Sequence, residues 1–426
     1  MGLSIYLDKK HEGRWIRTAA EAVFLIYLAF LVWYTYMRTT MFQIPWPENI
    51  ESILRKTGFC IVLFKFLVDE KWNWKELMMA VILCIGFFGS WRTFKDRDLA
   101  FYLILMLGAK GVSFNKIAGI YLGVEVPSIL ITIYCSLQGI IAYLTYPLEN
   151  GELSHAFGSI YRTDFSAHIF FLACCLIWVS RKKIWYAESV FILWLAWFVY
   201  HYCAARNSTI CLLLLGLGSL LIQAVRDIRR LLIDKSRKAG KKILQELQET
   251  PLITRVLLFP CCFSICVLAA VMILLSRFYN PAFPWMVRLD TWLSTRLSLG
   301  RQGFDQYNVK LFGQYVQQYG AAGVVDPTRT YFYLDVSYVN MLLRLGLFVF
   351  LLVLGVFVWA NLRAFKKKEY VIIFLLFVVA VHCCVEHHLV DLSYDPFLML
   401  LFADIFPQRG EKKRSGGSRF WKNHLS

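Results

Sequence analysis

Long apolar runs separated by short polar links follow one another along the whole chain. They fall at 19–40, 52–68, 76–91, 98–112, 116–145, 163–180, 185–204, 207–225, 254–276, 336–361, 370–390 and 394–407, where a helix that crosses a bilayer needs about 20 apolar residues. The runs at 52–68, 98–112 and 394–407 are short or interrupted, which also suits tilted, re-entrant or half-spanning segments. The pattern predicts an all-α polytopic membrane protein with about 12 transmembrane helices, a single integral membrane domain over residues 1–426. No repeat with a period of about 20–50 residues is visible, nor any similarity between the two halves, which counts against a secondary transporter.

Three hydrophilic segments interrupt or end the series. Residues 226–253 form a basic, helix-forming linker suited to lying on anionic lipid. Residues 277–335 form the one long polar loop late in the chain, aromatic and basic, and residues 408–426 a basic tail.

Composition agrees with the pattern. The chain is 58% hydrophobic and 18% charged, where a soluble domain has about 45–50% apolar and about 25% charged residues. The net charge of +17 lies in short runs between apolar segments, such as Arg181-Lys182-Lys183 and Lys366-Lys367-Lys368. Such runs are a topology signal rather than a groove for phosphates, so nucleic acid is not an expected partner. With the N-terminus inside, the cytoplasmic links carry about 30 Lys and Arg against about 11 in the external ones. Twelve spans then return the C-terminus to the cytoplasm and place 277–335 outside, in a multi-pass protein of the cell membrane. Arg92, Lys95 and Arg97 go against this orientation, although Asp96 and Asp98 accompany them. The 12 cysteines sit within or beside apolar runs, as small packing residues.

Ionisable residues within or beside spans are costly and need a reason. The densest group is His382-Cys383-Cys384-Val385-Glu386-His387-His388, followed by Asp391 and Asp395. On a continuous helix His382 and Glu386 share a face, as do His387 and Asp391. Glu386 or His387 is then a candidate proton acceptor at the external end of the span. A metal site is the sharper alternative, but no HExxH or paired CxxC is present, so no metal is expected. A hydrogen-bonded helix end is the plain one. A second cluster, Tyr161-Arg162-Thr163-Asp164-Phe165-Ser166-Ala167-His168, opens the sixth span. Asp164 is four residues before His168 and can orient its imidazole, or it simply caps the helix. Arg206, in a tight external link, either snorkels to headgroups or holds an anion.

The third cluster lies in the long loop. Residues 291–301 predict an interfacial amphipathic helix anchored by Trp292, with Arg296 and Arg301 at headgroup depth. The stretch Tyr331 to Tyr338 then brings Asp335 and several tyrosines to the mouth of the tenth span. No GxxxxGK[ST], no GxGxxG after a strand and no GxSxG occurs, so no nucleotide donor and no cofactor is implied.

These residues carry a resemblance. The run LSTRLSLGRQGFDQYNVKLFGQ, followed after a spacer by YFYLDVSYVNMLLRLGL, resembles Wzy-type polysaccharide polymerases of Gram-positive capsule and exopolysaccharide clusters. Members often carry an l-S-x-R-l stretch, an l-f-G, and then an acidic D-x-S-Y opening a span. The resemblance extends to Arg206-Asn207-Ser208-Thr209 and to Glu386 before Asp395-Pro396-Phe397. The sixth span opens RTDFSAH, where many relatives show a G-F-x-H-P-N-like stretch.

The resemblance implies a GT-C-like glycosyltransferase. It would join undecaprenyl-diphosphate-linked oligosaccharide repeat units at the outer face of the membrane, with membrane lipid around it and a chain-length regulator as a family-type partner. A diphosphate leaving group calls for fixed cations, for which Arg162, Arg206, Arg296 and Arg301 are candidates. An attacking sugar hydroxyl calls for a base, drawn from Glu386, His387, Asp335, Asp164 and His168. Tyr338 is a candidate sugar contact. A ligase that transfers the finished chain, a lipid-linked oligosaccharide flippase and a non-catalytic scaffold are the alternatives.

Overall fold

The structure is a computed structural model that describes residues 2–68, 72–94, 98–148, 151–238, 252–320 and 331–406. The tail at 408–426, Lys95 and Arg97, and parts of the 226–253 linker and the 277–335 loop lie outside the described residues.

The apolar runs fold as helices: α1 (Gly2–Met37), α2 (Ile50–Val68), α3 (Trp74–Phe94), α4 (Leu99–Gly108), α5 (Phe114–Leu137), α6 (Arg162–Ser180), α7 (Tyr186–Phe198) and α8 (Arg206–Lys238). After them come α9 (Leu252–Cys261), α10 (Ser264–Arg277), α11 (Pro284–Trp292), α12 (Arg296–Gln306), the short α13 (Ser337–Asn340), α14 (Gly346–Lys366) and α15 (Tyr370–His382). Among the described residues, six helical stretches are long and apolar enough to cross a membrane: Trp15–Met37, Trp74–Phe94, Phe114–Leu137, Arg162–Ser180, Arg206–Asp234 and Ser337–Lys366. Large apolar side chains such as Ile26, Leu63, Leu130, Leu221 and Leu351 face outward. That is the surface of a bundle solvated by lipid. The core forms where α6, α8 and α15 pack on one another, with α5 against α6 and α10 against α15.

Two helices are not regular. α7 runs on into a π turn at Val199–Cys203, and the helix opened by α13 passes through a second at Met341–Leu345 before α14. α5 ends at Leu137, short of the run to 145 that the sequence predicts. Beyond it Gly139 takes a positive φ of 71°, and a small hairpin pairs Thr145–Pro147 with Leu153–His155.

The apolar run at 394–407, expected to be a helical span, is not a long helix. From Glu386 onward the chain travels alongside α6, with Tyr394 stacked on His168, Phe397 against Trp178, and the Ile405 carbonyl accepting from Arg181 at 3.1 Å. Only the short 3-10 turns His388–Val390 and Phe397–Leu401 are regular. Irregular backbone at this depth is stable only where protein covers it and its polar groups are paired. Both conditions are met. Asp391 and Asp395 accept the amides of Ser393 (3.0 Å) and Phe397 (2.7 Å), and Asp404 exchanges backbone bonds with Val112 and Phe114. Arg181 is 1% exposed, yet it also donates to Asn115 (2.6 Å) and to the Trp178 carbonyl (2.7 Å), which is what lets a charge stay buried.

The loop between α12 and α13 is stitched to the start of α14. Gln314 N–H donates to the Arg344 carbonyl, and Leu347 and Phe348 donate to Lys310 and Leu311, all at 3.0 Å. Two glycines permit this contact. Gly313 and Gly346 have φ of 76° and 92°, and a Cβ on Gly346 would lie 2.1 Å from the Gly313 nitrogen. Gly346→Ala is therefore expected to destabilise the protein by about 2–3 kcal/mol. Gly355→Ala, on an open stretch of α14, is expected to leave it unchanged or slightly firmer. Thermal unfolding in detergent compares the two.

Candidate functional site

Five chain segments meet at one end of the bundle. These are the start of α6, the link from α7 into α8, the start of α12, the approach to α13, and the turn after α15. Backbone and side-chain bonds hold them in place. Asn207 donates to the His382 carbonyl (3.0 Å), Ser337 N–H to the Cys383 carbonyl (3.2 Å), and Arg162 to the carbonyls of Cys203 (3.2 Å) and Ala204 (3.4 Å). Ala204 sits in the left-handed region at φ 49°, which turns its carbonyl within reach of Arg162 and lets α8 restart at once with Arg206.

Arg296 and Asp335 lie at the centre of this meeting. The guanidinium NH1 stands 2.5 Å from Asp335 Oδ2, and the side chains are only 14% and 10% exposed. Arg296 is placed by a break in the predicted 291–301 helix. Ser294 and Thr295 both take positive φ (57° and 64°), so one helix ends at Trp292 and another begins at Arg296. Asp290, which the sequence reading passed over, makes the break hold. Its buried Oδ1 accepts the amides of Leu297 (2.8 Å) and Ser298 (3.1 Å) at the new N-terminus, where free N–H groups and the helix dipole favour a carboxylate. Asp290→Ala is expected to lower stability by about 1–2 kcal/mol, with Asp290→Asn recovering part of it in the same unfolding measurement.

Glu386 and His387 reach the same place by a route other than the helical one the sequence suggests. α15 ends at His382, and although Glu386 N–H still reaches back to the His382 carbonyl (3.2 Å), the chain then leaves the helical path, so His387 does not lie one turn before Asp391 on a helix. A tight turn turns the chain instead, held by Ser337, whose hydroxyl donates to the Glu386 carbonyl (2.6 Å) and accepts from Leu389 N–H (3.2 Å). His387 Nδ1 then lies 3.8 Å from Asp335 Oδ1. Burial pushes the carboxyls up. Asp335 rises to about 6, with Arg296 pulling the other way. Glu386 rises to about 7, held down by Arg296 and Arg162 and raised further by Asp335. Burial likewise drives His387 down to about 3, helped by Arg344 and Arg296. At neutral pH the imidazole is uncharged and the two carboxyls sit near the point where they exchange protons.

The second cluster is arranged differently from expectation. His168 is fully buried, but Asp164 does not orient it. Its Nδ1 faces Glu125 Oε2 at 3.1 Å and its Nε2 faces Thr39 at 3.0 Å. Glu125, a lone carboxylate within an apolar run, carries the signal of a costly buried charge, but no partner near it in sequence pointed to His168. Asp164 remains near the main site, within electrostatic reach of Glu386, Asp391 and Asp335. Arg206 is exposed at the start of α8 and close enough to repel Arg162. Two candidates point elsewhere. Tyr338 is 0% exposed and donates to the Ala380 carbonyl at 2.7 Å, a packing position. Arg301 pairs with Asp305 (2.8 Å) and the Arg277 carbonyl (2.5 Å), beside an open groove of about 730 Å³ between α10 and α12. A smaller cavity of about 290 Å³ adjoins the Asp335 site, lined among others by Arg38, Tyr333, Arg344, His387 and Asp391.

No protein-family model, curated protein or solved structure matches this chain.

Proposed function

We propose that the chain is a polysaccharide polymerase of the cell membrane. In this reading it has twelve membrane passes in a GT-C-like plan, both ends in the cytoplasm and the Arg296–Asp335 site facing outward. The substrate is an oligosaccharide on undecaprenyl diphosphate, and a chain-length regulator is the expected partner. The observation that carries the reading is the buried Arg296–Asp335 pair, set among Arg162, Arg206 and Glu386 at the end of the bundle.

The pair couples the two tasks of the reaction. Arg296 NH1 pairs with Asp335 Oδ2 by charge, not through an aligned hydrogen bond, and neither that oxygen nor the buried Arg296 Nε has a hydrogen-bond partner among the described residues. An incoming diphosphate offers that guanidinium a better, bidentate acceptor. As Arg296 turns to phosphate, Asp335 loses the neighbour that holds its pKa down, and becomes a stronger base for the acceptor hydroxyl. The acceptor oxygen forms its bond to the anomeric carbon while the bond from that carbon to the diphosphate oxygen breaks. The hydroxyl proton passes to Asp335, and the leaving diphosphate takes the negative charge under Arg296, with Arg206 and Arg162 nearby.

Deleting the protein in its host and sizing the undecaprenyl-linked glycans tests the reading. Single repeat units on the outer leaflet, with loss of long surface chains, are expected. Full-length polymer stranded on the lipid would mean a ligase, and single units confined to the inner leaflet a flippase.

A further inference from the structure

The turn after α15 holds a group of side chains that this mechanism does not use. Glu386, His387 and His388 each present one ligand-capable atom, and the three atoms lie within 4.8 Å of one another. His388 Nε2 stands 3.9 Å from Glu386 Oε2, with the side chains 1% and 7% exposed. Among the described residues, neither ring nitrogen of His388 has a hydrogen-bond partner, and neither does Nδ1 of His387.

An imidazole carries one N–H donor and one lone-pair acceptor, so a buried ring with both nitrogens unpaired is an anomaly in a packed interior. Packing accounts for the ring faces but not for the nitrogens: His388 lies against Tyr394 at 3.9 Å and His387 at 4.4 Å between centroids. Neutral imidazole nitrogens beside a carboxylate are the donor set of a divalent transition-metal ion.

We propose that Glu386, His387 and His388 bind one divalent transition-metal ion, zinc-like in its preference for two imidazoles and a carboxylate. Metal–ligand bonds of about 2.0–2.2 Å bring ligand atoms to roughly 3.3–3.5 Å from one another in a tetrahedron, so the group closes slightly as the ion enters. The ion ties the turn after α15 to itself beside His387 and Asp335. It takes no part in the proton transfer to Asp335, and the site does not rest on the polymerase reading.

The test uses the full chain purified in detergent, stripped with a chelator, and titrated with Co²⁺ and separately with Zn²⁺. One ion per chain is expected, with visible Co²⁺ absorption of a four- or five-coordinate nitrogen–oxygen site that Zn²⁺ bleaches, and a rise in the thermal unfolding midpoint. His388→Gln and Glu386→Gln are each expected to weaken binding by at least tenfold, while His201→Gln, at an exposed histidine of the π turn that ends α7, leaves it unchanged. Stripped wild-type protein that takes up no stoichiometric Co²⁺ overturns the proposal without any variant having to fold. Binding that survives both glutamine substitutions overturns it equally.

Discussion

For the proposed polymerase, Asp335→Asn is expected to lower chain extension by about 10²–10⁴-fold, with single lipid-linked repeat units accumulating in a pulse-labelled membrane preparation. The substitution keeps the shape of the side chain and removes its ability to take a proton. Stability is expected to change little at neutral pH, and the direction can be worked out. Burial holds the Asp335 carboxyl at about 6 in the folded chain, above its ordinary 3.8. Its contribution to stability is therefore full below about pH 4 and fades as pH rises through about 6. Above that range the ionised carboxylate contributes nothing that asparagine lacks, apart from its pairing with Arg296. The rate runs the opposite way in wild type, rising through about pH 6 as the base ionises and then levelling off. Wild-type polymer length and yield from the asparagine variant would remove Asp335 from the chemistry.

Arg296→Ala is expected to reduce extension by about 10²–10³-fold, the range for removing one preorganised group aimed at developing negative charge. Arg296→Lys falls between, since it keeps a charge but not the planar fork that meets a diphosphate. The pH profile separates a chemical role from a structural one. Arg296 lowers the pKa of both Asp335 and Glu386. Its loss therefore moves the rising limb of the residual kcat/KM, which reports the free enzyme, to higher pH, and a variant that is merely less well folded would keep the limb in place. An alanine variant with an unmoved profile and normal yield would show that Arg296 holds the loop and nothing more.

Much of the architecture is legible in the apolar runs, because a bilayer forces helices to be long and continuous. Where protein replaces lipid as the surroundings, that constraint lapses. The run at 394–407 is as apolar as its neighbours, yet it crosses the core as irregular chain, since Asp391, Asp395 and Pro396 favour turns and the bundle covers them. The candidate site was legible residue by residue, as ionisable groups where few belong, but not in its pairings. Arg296 and Asp335 meet only because the loop is pinned at Gly313 and Gly346. His168 finds Glu125 rather than Asp164 because helix neighbours in sequence compete with helix neighbours in space, and α5 packs directly on α6. Asp290 was invisible for the opposite reason: an aspartate in a polar loop is ordinary until a helix begins beside it.

The two π turns, Val199–Cys203 and Met341–Leu345, flank this site, one just before Arg206 and the other just after Asp335 and Ser337. A π turn is an α-helix with a single residue too many. The turn at 341–345 ends on Gly346, whose φ of 92° breaks the helix and leaves the amides of Leu347 and Phe348 to the carbonyls of Lys310 and Leu311. The turn at 199–203 ends likewise on Ala204 at φ 49°, after which α8 restarts with Arg206. Each widened turn is thus a helix end rather than a bulge within a helix, and the site is built where two helices stop and the chain starts again.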